Sequence, residues 1–277
     1  MLLPIGLDWL NTYIPAALAV WHGQSPYGDS IFYAAPWAVI PLIPFALMPY
    51  EIGRWCVFIL GLLAFAYTAF KLGAKPIPMV IFLTSAAVIG NLNNGNIEWM
   101  PLLGFVLPPW LGLIFVMIKP QVGIGIAIYW LFEAWRKEGI KQVIKTFSPV
   151  IGLFLISFWL YGLWPLRFRT TLSASVDNMS LWPNGIFIGL VLLVYAIRKN
   201  EKRAAMASGP FLAPYVLQFT WAAPMLALLQ EPWLLFAAWL GLWVPILMRI
   251  MNGWGIMCLE RGGPEGLCAL GTFLLVP

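Results

Sequence analysis

Charged residues are confined to short intervals of this chain, and long uncharged segments lie between those intervals. A helix that crosses about 30 Å of hydrocarbon needs roughly 20 predominantly apolar residues. Several segments approach or exceed this length, so the pattern predicts a polytopic α-helical membrane protein. The uncharged segments are Ser30–Tyr50, Trp55–Phe70, Pro76–Ile97, Trp99–Ile118, Pro120–Phe132, Thr146–Leu166, Asn178–Ile197, Ala204–Gln230 and Pro232–Met248.

The predicted fold class is all-α, a polytopic transmembrane bundle of about eight to ten membrane helices that include short and broken ones. We expect one domain over 1–250, with an outer-surface segment at 8–35 and an unassigned tail at 251–277. Residues 12–22 are expected to form a short interfacial helix. Crossings are expected at 36–49, 53–70, 76–90, 96–107 and 109–135 in a first helix group (36–135), and at 146–163, 184–197, 204–229 and 232–248 in a second (146–250).

Orientation follows from two basic clusters that lie in short loops. The positive-inside rule predicts that both loops are cytoplasmic, which makes the loop 164–183 extracytoplasmic. If 109–135 is one kinked crossing, the segment 8–35 lies outside; if the helix breaks at Lys119 into two crossings, that segment lies inside. We favour the first arrangement. The clusters are Arg136, Lys137, Lys141 and Lys145, and Arg198, Lys199, Lys202 and Arg203.

Composition agrees with a membrane protein and excludes several other classes. Only 10% of the 277 residues are charged and 61% are hydrophobic, whereas a soluble domain carries roughly a quarter charged residues. The net charge of +5 sits in loops as orientation signals do, so it does not indicate nucleic acid. One histidine and three scattered cysteines exclude a multi-histidine metal site and a cysteine metal motif. No nucleotide loop, zinc motif or nucleophile elbow is present.

The first acidic residue, Asp8, opens a polar and aromatic segment that ends near Asp29. A carboxylate at a membrane surface can act as a general base or bind a divalent cation, Mg²⁺ or Mn²⁺. The alternative is an ordinary interfacial acid. His22 is a candidate donor to a phosphate or sugar, or else a structural histidine. Met1–Leu7 is apolar but too short to span a membrane, and we expect that a first helix is missing before it.

Two further groups of polar residues lie within apolar surroundings. The densest is Asn91, Asn93, Asn94, Asn96 and Glu98. The amides of this group suit a hydroxyl-rich ligand. The alternative is that these residues form an ordinary loop between two helices. Lys119 follows a long uncharged run and precedes a proline. A lysine at that depth is costly unless it pairs or faces a polar cavity, and a lipid phosphate is one partner. Gln121 shares the same kink.

The outer loop 164–183 carries Arg167 and Arg169, against the positive-inside trend. Arginine binds phosphate through a bidentate fork, so the two residues are candidates for holding a lipid phosphate or diphosphate at the outer surface. A solvated loop is an equally good interpretation. Asp177 is a weaker candidate in the same loop.

The order of several short stretches resembles the polyprenol-phosphate-mannose-dependent glycosyltransferases of the C-type superfamily. These stretches cover roughly residues 8–248, and each of them is short. They are DWLNTYIPAALAVWHGQSPY, FYAAPWAVIPLIPFALMP, GNIEWMPLLG, LGLIFVMIKPQVGIGIAIYWLFEAWRKEG and PFLAPYVLQFTWAAPMLALL. The chain departs from the family pattern in its missing first helix, its lone Asp8 and its Asn96 in place of a glutamine.

This resemblance implies a polyprenyl-phosphate sugar donor, a glycan or glycolipid acceptor, and inverting transfer of a sugar such as mannose at the extracytoplasmic face. It implies that Asp8 is the catalytic base. By chemistry and position, Lys119, Arg167 and Arg169 are the donor-phosphate candidates. Sugar or acceptor contacts are expected from His22, Tyr33, Asn96, Glu98 and Gln121. The expected location is the plasma (inner) membrane of a prokaryote.

Two other functions are ranked below sugar transfer. A lipid-linked saccharide transporter or flippase would predict an inverted repeat between the halves, and none is visible in the sequence. A non-catalytic membrane subunit of a larger complex would predict stable partner subunits. No metal ligands and no nucleic-acid partner are predicted.

Overall fold

The computed structural model describes residues 6–28, 31–168 and 178–251. Every regular element within these ranges is helical, as the uncharged segments predict. Arg169, Asp177 and nearly all of the tail 251–277 lie outside the described residues.

The N-terminal part is a chain of short helical pieces. A π-helical turn, Trp9–Tyr13, runs directly into helix α1, Ile14–Trp21, which lies within the predicted 12–22 helix. The segment 36–49 was expected to be one crossing, but it does not form one continuous helix. It forms two 3₁₀ turns, Pro36–Ala38 and Ile40–Leu42, and then the four-residue helix α2, Ile43–Ala46. Closely spaced prolines remove amide donors and prevent one continuous helix.

The next elements continue the first half of the chain. They are α3 (Tyr50–Lys71), α4 (Pro76–Leu83), α5 (Ala86–Asn94), α6 (Trp99–Gly104), α7 (Pro109–Val116) and α8 (Pro120–Glu138). Helices α4 and α5 are bent by 50° at their junction.

Two further predicted crossings of this half do not form single long helices. The segment 96–107 carries only the six-residue helix α6, which is too short to cross a bilayer. The segment 109–135 is not one kinked helix, because it breaks at Lys119, where φ is −131° and ψ is 94°. The favoured arrangement, with one kinked crossing here and 8–35 outside, is therefore not supported. The eight-residue α7 is itself too short to cross a bilayer, so the break does not produce two crossings either. The residue before a proline is driven into extended backbone, so Pro120 imposes this break.

The second half begins with one long helix and then alternates short and long ones. Its elements are α9 (Ile140–Tyr161), a 3₁₀ turn (Trp164–Phe168), α10 (Gly185–Lys199), α11 (Lys202–Leu212), a 3₁₀ turn (Gln218–Trp221), α12 (Ala222–Ala227) and α13 (Pro232–Met251). The segment 204–229 was expected to be one crossing, but it is divided between α11, a 3₁₀ turn and α12.

Two helices, α3 and α9, are long and apolar enough to cross a membrane, and the bent pair of α4 and α5 is a third candidate. The described residues therefore do not confirm a bundle of eight to ten membrane helices. Helix α9 exposes a stripe of large apolar side chains, Ile144, Ile151, Leu155 and Trp159. Such a stripe is costly in water and is suited to hydrocarbon.

The two halves pack on one another rather than standing apart. Helix α8 contacts α10 and α11, and α13 contacts α4 and α5. At the α8–α11 contact, a Cβ added to Gly125 would lie 2.5 Å from the Ala205 carbonyl oxygen. The backbones therefore approach closely at a small residue, as in membrane helix pairs.

Candidate functional site

Asp8 lies immediately before the π-helical turn and is half-buried. The Ile14 N–H donates to the Trp9 carbonyl, five residues back, and this wider spacing defines the turn. At this wider spacing, positions five apart lie closer to one side of the helix than they do in an ordinary α-helix, and Asp8 lies near enough to Tyr13 to raise its pKa. Single π-turns are frequent at functional sites.

The second contribution comes from the turn between α5 and α6. Helix α5 starts at Ser85, whose hydroxyl caps the Val88 N–H, and ends at Gly95 in the left-handed conformation (φ +68°). A residue with a Cβ is strained at such a φ, so glycine suits this reversal. The turn delivers Asn96, which is 4% exposed, and Glu98, which is fully buried.

Lys119 is the third contribution, and it comes from the break between α7 and α8. Its side chain is only 4% exposed. The ammonium forms an ion pair with Glu98 Oε2 and donates to Asn96 Oδ1 at 2.7 Å. The sequence-based requirement that a lysine at this depth be paired is thus met by a carboxylate of the protein itself.

A connected polar network results, which we call the buried charge cluster: Asp8, Asn96, Glu98, Lys119 and Thr220. Asn96 Nδ2 donates to Asp8 Oδ2 at 2.6 Å, and Thr220 Oγ1 donates to Glu98 Oε1 at 2.5 Å. With both carboxylates ionised, the cluster carries two negative charges and one positive charge. Buried charges persist only when they are paired and hydrogen-bonded. Glu98 and Lys119 satisfy both conditions, and the half-buried Asp8 is hydrogen-bonded by Asn96.

Two residues support the turn that carries Asn96 and Glu98. With its amide oriented to match its neighbours, Asn91 donates to the Asn96 carbonyl at 3.0 Å and accepts from the Glu98 N–H at 3.3 Å. The fully buried Arg54 donates through Nη2 to the carbonyls of Leu92, at 2.6 Å, and Asn93, at 2.7 Å. The Leu92 carbonyl also accepts from the Gly95 N–H at 3.2 Å, so Arg54 adds a second donor there and a donor to Asn93 at the end of α5.

Sequence reasoning missed two members of this region, Tyr13 and Thr220. Burial, and then the nearby carboxylates of Asp8 and Glu98, raise the pKa of Tyr13 well above its ordinary value. Its phenol is therefore neutral at pH 7 and can donate a hydrogen bond. No sequence signal identifies either residue, because Tyr13 depends on the π-turn and Thr220 on a contact 122 residues away along the chain.

The other predicted site residues lie elsewhere or make different contacts. His22 is exposed at the end of α1, and eight residues of helix, about 12 Å, separate it from the π-turn. Tyr33 and Gln121 are half-buried, before Pro36 and in the first turn of α8. Arg167 is exposed and donates to the Tyr27 carbonyl at 3.3 Å, which attaches the turn after α9 to the N-terminal segment.

The chemistry available at the cluster is that of a half-buried carboxylate held beside a buried ion pair. A carboxylate can take a proton from a hydroxyl, and the neighbouring amide and phenol can orient polar ligands. Among the described residues, no group of three histidine, cysteine, aspartate or glutamate side chains is placed to hold a metal ion. A divalent cation bound here would need ligand atoms beyond Asp8 and Glu98.

A comparison with known protein families, with curated proteins and with solved structures finds no match to this chain.

Proposed function

We propose that this protein is a membrane glycosyltransferase that moves a sugar, such as mannose, from a polyprenyl phosphate to a hydroxyl of a glycan or glycolipid. The observation that best supports the proposal is the hydrogen-bonded path from Asp8 through Asn96 to Lys119. It joins a half-buried carboxylate to the most deeply placed lysine, in a chain with helices long enough to cross a membrane.

In the proposed reaction, the acceptor hydroxyl oxygen attacks C1 of the donor sugar. The bond between C1 and the phosphate oxygen breaks, and its electron pair leaves with the polyprenyl phosphate. Asp8 takes the hydroxyl proton as the new glycosidic bond forms. The attack comes from the face opposite the leaving group, so the anomeric configuration is inverted.

The donor phosphate requires a cation near this path. Lys119 already engages two acceptors, and a phosphate beside it would also meet the carboxylates of Asp8 and Glu98. Arg167 is exposed on the turn after α9 and contacts the N-terminal segment through Tyr27. We therefore favour Arg167 for phosphate contact, since its guanidinium matches phosphate geometry. Arg169, in the same loop, remains a candidate from the sequence.

The test uses the purified full chain in lipid nanodiscs with polyprenyl-phosphate mannose, labelled in the sugar, and an alkyl mannoside as acceptor. Asp8→Asn keeps the size of the side chain but removes the base. We expect it to lower the transfer rate by at least about 100-fold. Glu51→Gln, at an exposed carboxylate in the first turn of α3, is the matched control and should leave the rate unchanged. Wild-type transfer that survives Asp8→Asn would refute the assignment.

A second candidate function is transport of a lipid-linked saccharide, and one observation favours it. The cluster residues lie at interruptions between α5 and α6 and between α7 and α8, and transporters build substrate sites at broken membrane helices. Vesicles reconstituted with the protein and a fluorescent lipid-linked sugar separate the two functions. Movement of the intact lipid between leaflets, without sugar transfer, would support transport.

A further inference from the structure

The orientation of the Asn96 amide is determined by its neighbours. Its Oδ1 accepts from Lys119 Nζ at 2.7 Å and from the Glu98 N–H at 3.2 Å. An ammonium and an amide N–H can only donate, so this atom must be the oxygen. The amide nitrogen is consequently directed at Asp8 Oδ2, at 2.6 Å. Reversing the amide would set donors against donors and an oxygen against a carboxylate.

Lys119 is itself held in place from the other side. Both oxygens of the fully buried Glu98 are used, one by Lys119 and the other by Thr220. The donors therefore form a directed series in which Lys119 donates to Asn96 and Asn96 donates to Asp8. Hydrogen bonds in such a series polarise one another, and the bond to a charged acceptor is the strongest type.

We propose that Asn96 and Lys119 are positioning residues that keep the Asp8 carboxylate ionised. Lys119 fixes the orientation of the Asn96 amide, and the amide N–H donates to Asp8 Oδ2. This hydrogen bond is strongest when the carboxylate is ionised. The inference rests on the proposed function only in so far as Asp8 is the base; the ionisation of Asp8 can be measured without any reaction. On this proposal, Lys119 interacts with Glu98 and Asn96 of the protein itself and does not bind the donor phosphate.

The charged and titratable groups around Asp8 come from several elements, and they do not all act in one direction. Lys119 favours the ionised carboxylate, while Glu98 opposes it. Tyr13, on the same turn, is neutral and lies near both acids. Arg54 packs against Gly6, where an added Cβ would lie 3.0 Å from Arg54 Cδ, and its charge interacts with Tyr50 and Glu51. The Asn96 bond is the direct contact that a single substitution removes.

The experiment measures the protonation of Asp8 directly. A hydrophobic carbodiimide reacts with protonated carboxyl groups, and mass spectrometry of the Asp8 peptide gives the labelled fraction as a function of pH. In Asn96→Ala, we expect the labelling midpoint to rise by about one pH unit, because the ionised form loses its donor. In a plot of the sugar-transfer rate of Asn96→Ala against pH, the midpoint on the acidic side should move upward by the same amount. Glu51→Gln should leave the midpoint unchanged.

A second variant protects the test against a folding defect in Asn96→Ala. Glu98→Gln/Lys119→Met removes both buried charges together and leaves the Asn96 amide without its ammonium partner. The charge effects of the removed acid and the removed ammonium on Asp8 offset one another, so the loss of the bond from Lys119 to Asn96 should raise the labelling midpoint by less than Asn96→Ala does. A midpoint that stays at the wild-type value in the folded variants would overturn the positioning role even if Asp8 proves to be the base. Conversely, an Asp8→Asn variant with full activity would end the proposed function and leave the labelling result intact.

Discussion

Removing the lysine from the buried charge cluster should be among the most destabilising single substitutions in the chain. In Lys119→Met, Glu98 remains fully buried and keeps only its bond from Thr220. Two unit charges about 4 Å apart interact by roughly 4 kcal/mol at an effective dielectric constant of 20. Breaking a buried pair by removing one partner costs about 3–5 kcal/mol. We therefore expect the free energy of unfolding to fall by about that amount.

The double variant Glu98→Gln/Lys119→Met tests whether charge is the cause. A glutamine retains the volume of Glu98 and an acceptor for Thr220, and methionine fills much of the space of Lys119. Replacing a buried ion pair by uncharged groups of similar size is often close to neutral. The double variant should regain at least about half of the stability that Lys119→Met loses.

The assay is unfolding by sodium dodecyl sulfate in mixed micelles, followed by tryptophan fluorescence, which the 16 Trp residues make sensitive. Lys137→Met is the matched control, because Lys137 pairs with Glu133 at 3.0 Å on an exposed face of α8. Exposed pairs spaced by four residues contribute about 0.3–0.5 kcal/mol. If Lys119→Met costs no more than Lys137→Met, the buried pair does not stabilise the fold and the reasoning fails.

Two other predictions concern the packing of α8 on α11 and the ion pair between Arg203 and Glu201. Gly125→Ala should lower the free energy of unfolding by about 1–3 kcal/mol, because its Cβ would overlap Ser208 at the α8–α11 contact; Gly152→Ala, with nothing within 4 Å, should be neutral or stabilising in the same assay. A hydrogen bond from Arg203 lowers the pKa of Glu201 below its ordinary 4.5. This pair therefore stabilises above that pH and loses its effect as pH falls through the lowered pKa. The difference between wild type and Arg203→Gln, about 0.5 kcal/mol at pH 7 for such an exposed pair, should vanish once the pH lies below the lowered pKa of Glu201.

The sequence predicts the continuous helices well and the interrupted ones poorly. The expected segments 53–70 and 146–163 correspond to α3 and α9, because each is an uncharged run with charged residues at its ends. Hydropathy alone does not register backbone breaks, so the proline-rich segment 36–49 was expected to be one crossing. The proline after Lys119 indicated a kink or a break, and the structure shows a complete break between α7 and α8.

The site was predictable as a set of unusual residues but not as an arrangement. Asp8, Asn96, Glu98 and Lys119 each stand out as polar groups in apolar surroundings. The pairing of Lys119 with Glu98, and the bridge from Asn96 to Asp8, join segments that are 21 and 88 residues apart. Such contacts follow from tertiary packing, which no local pattern encodes.

The breaks in the helices and the buried charge cluster depend on each other. Asp8 lies beside a π-turn, Asn96 and Glu98 follow a left-handed glycine, and Lys119 separates two helices. In apolar surroundings each helix end leaves backbone groups that need partners. Arg54 supplies side-chain donors to backbone carbonyls at the end of α5. Beside Lys119, the Ala35 N–H donates to the Ile118 carbonyl at 3.0 Å. The turns that carry the charged residues are therefore the same turns whose backbone groups need polar partners. A continuous apolar helix at any of these turns would remove the break and would no longer place the charged side chain in the cluster.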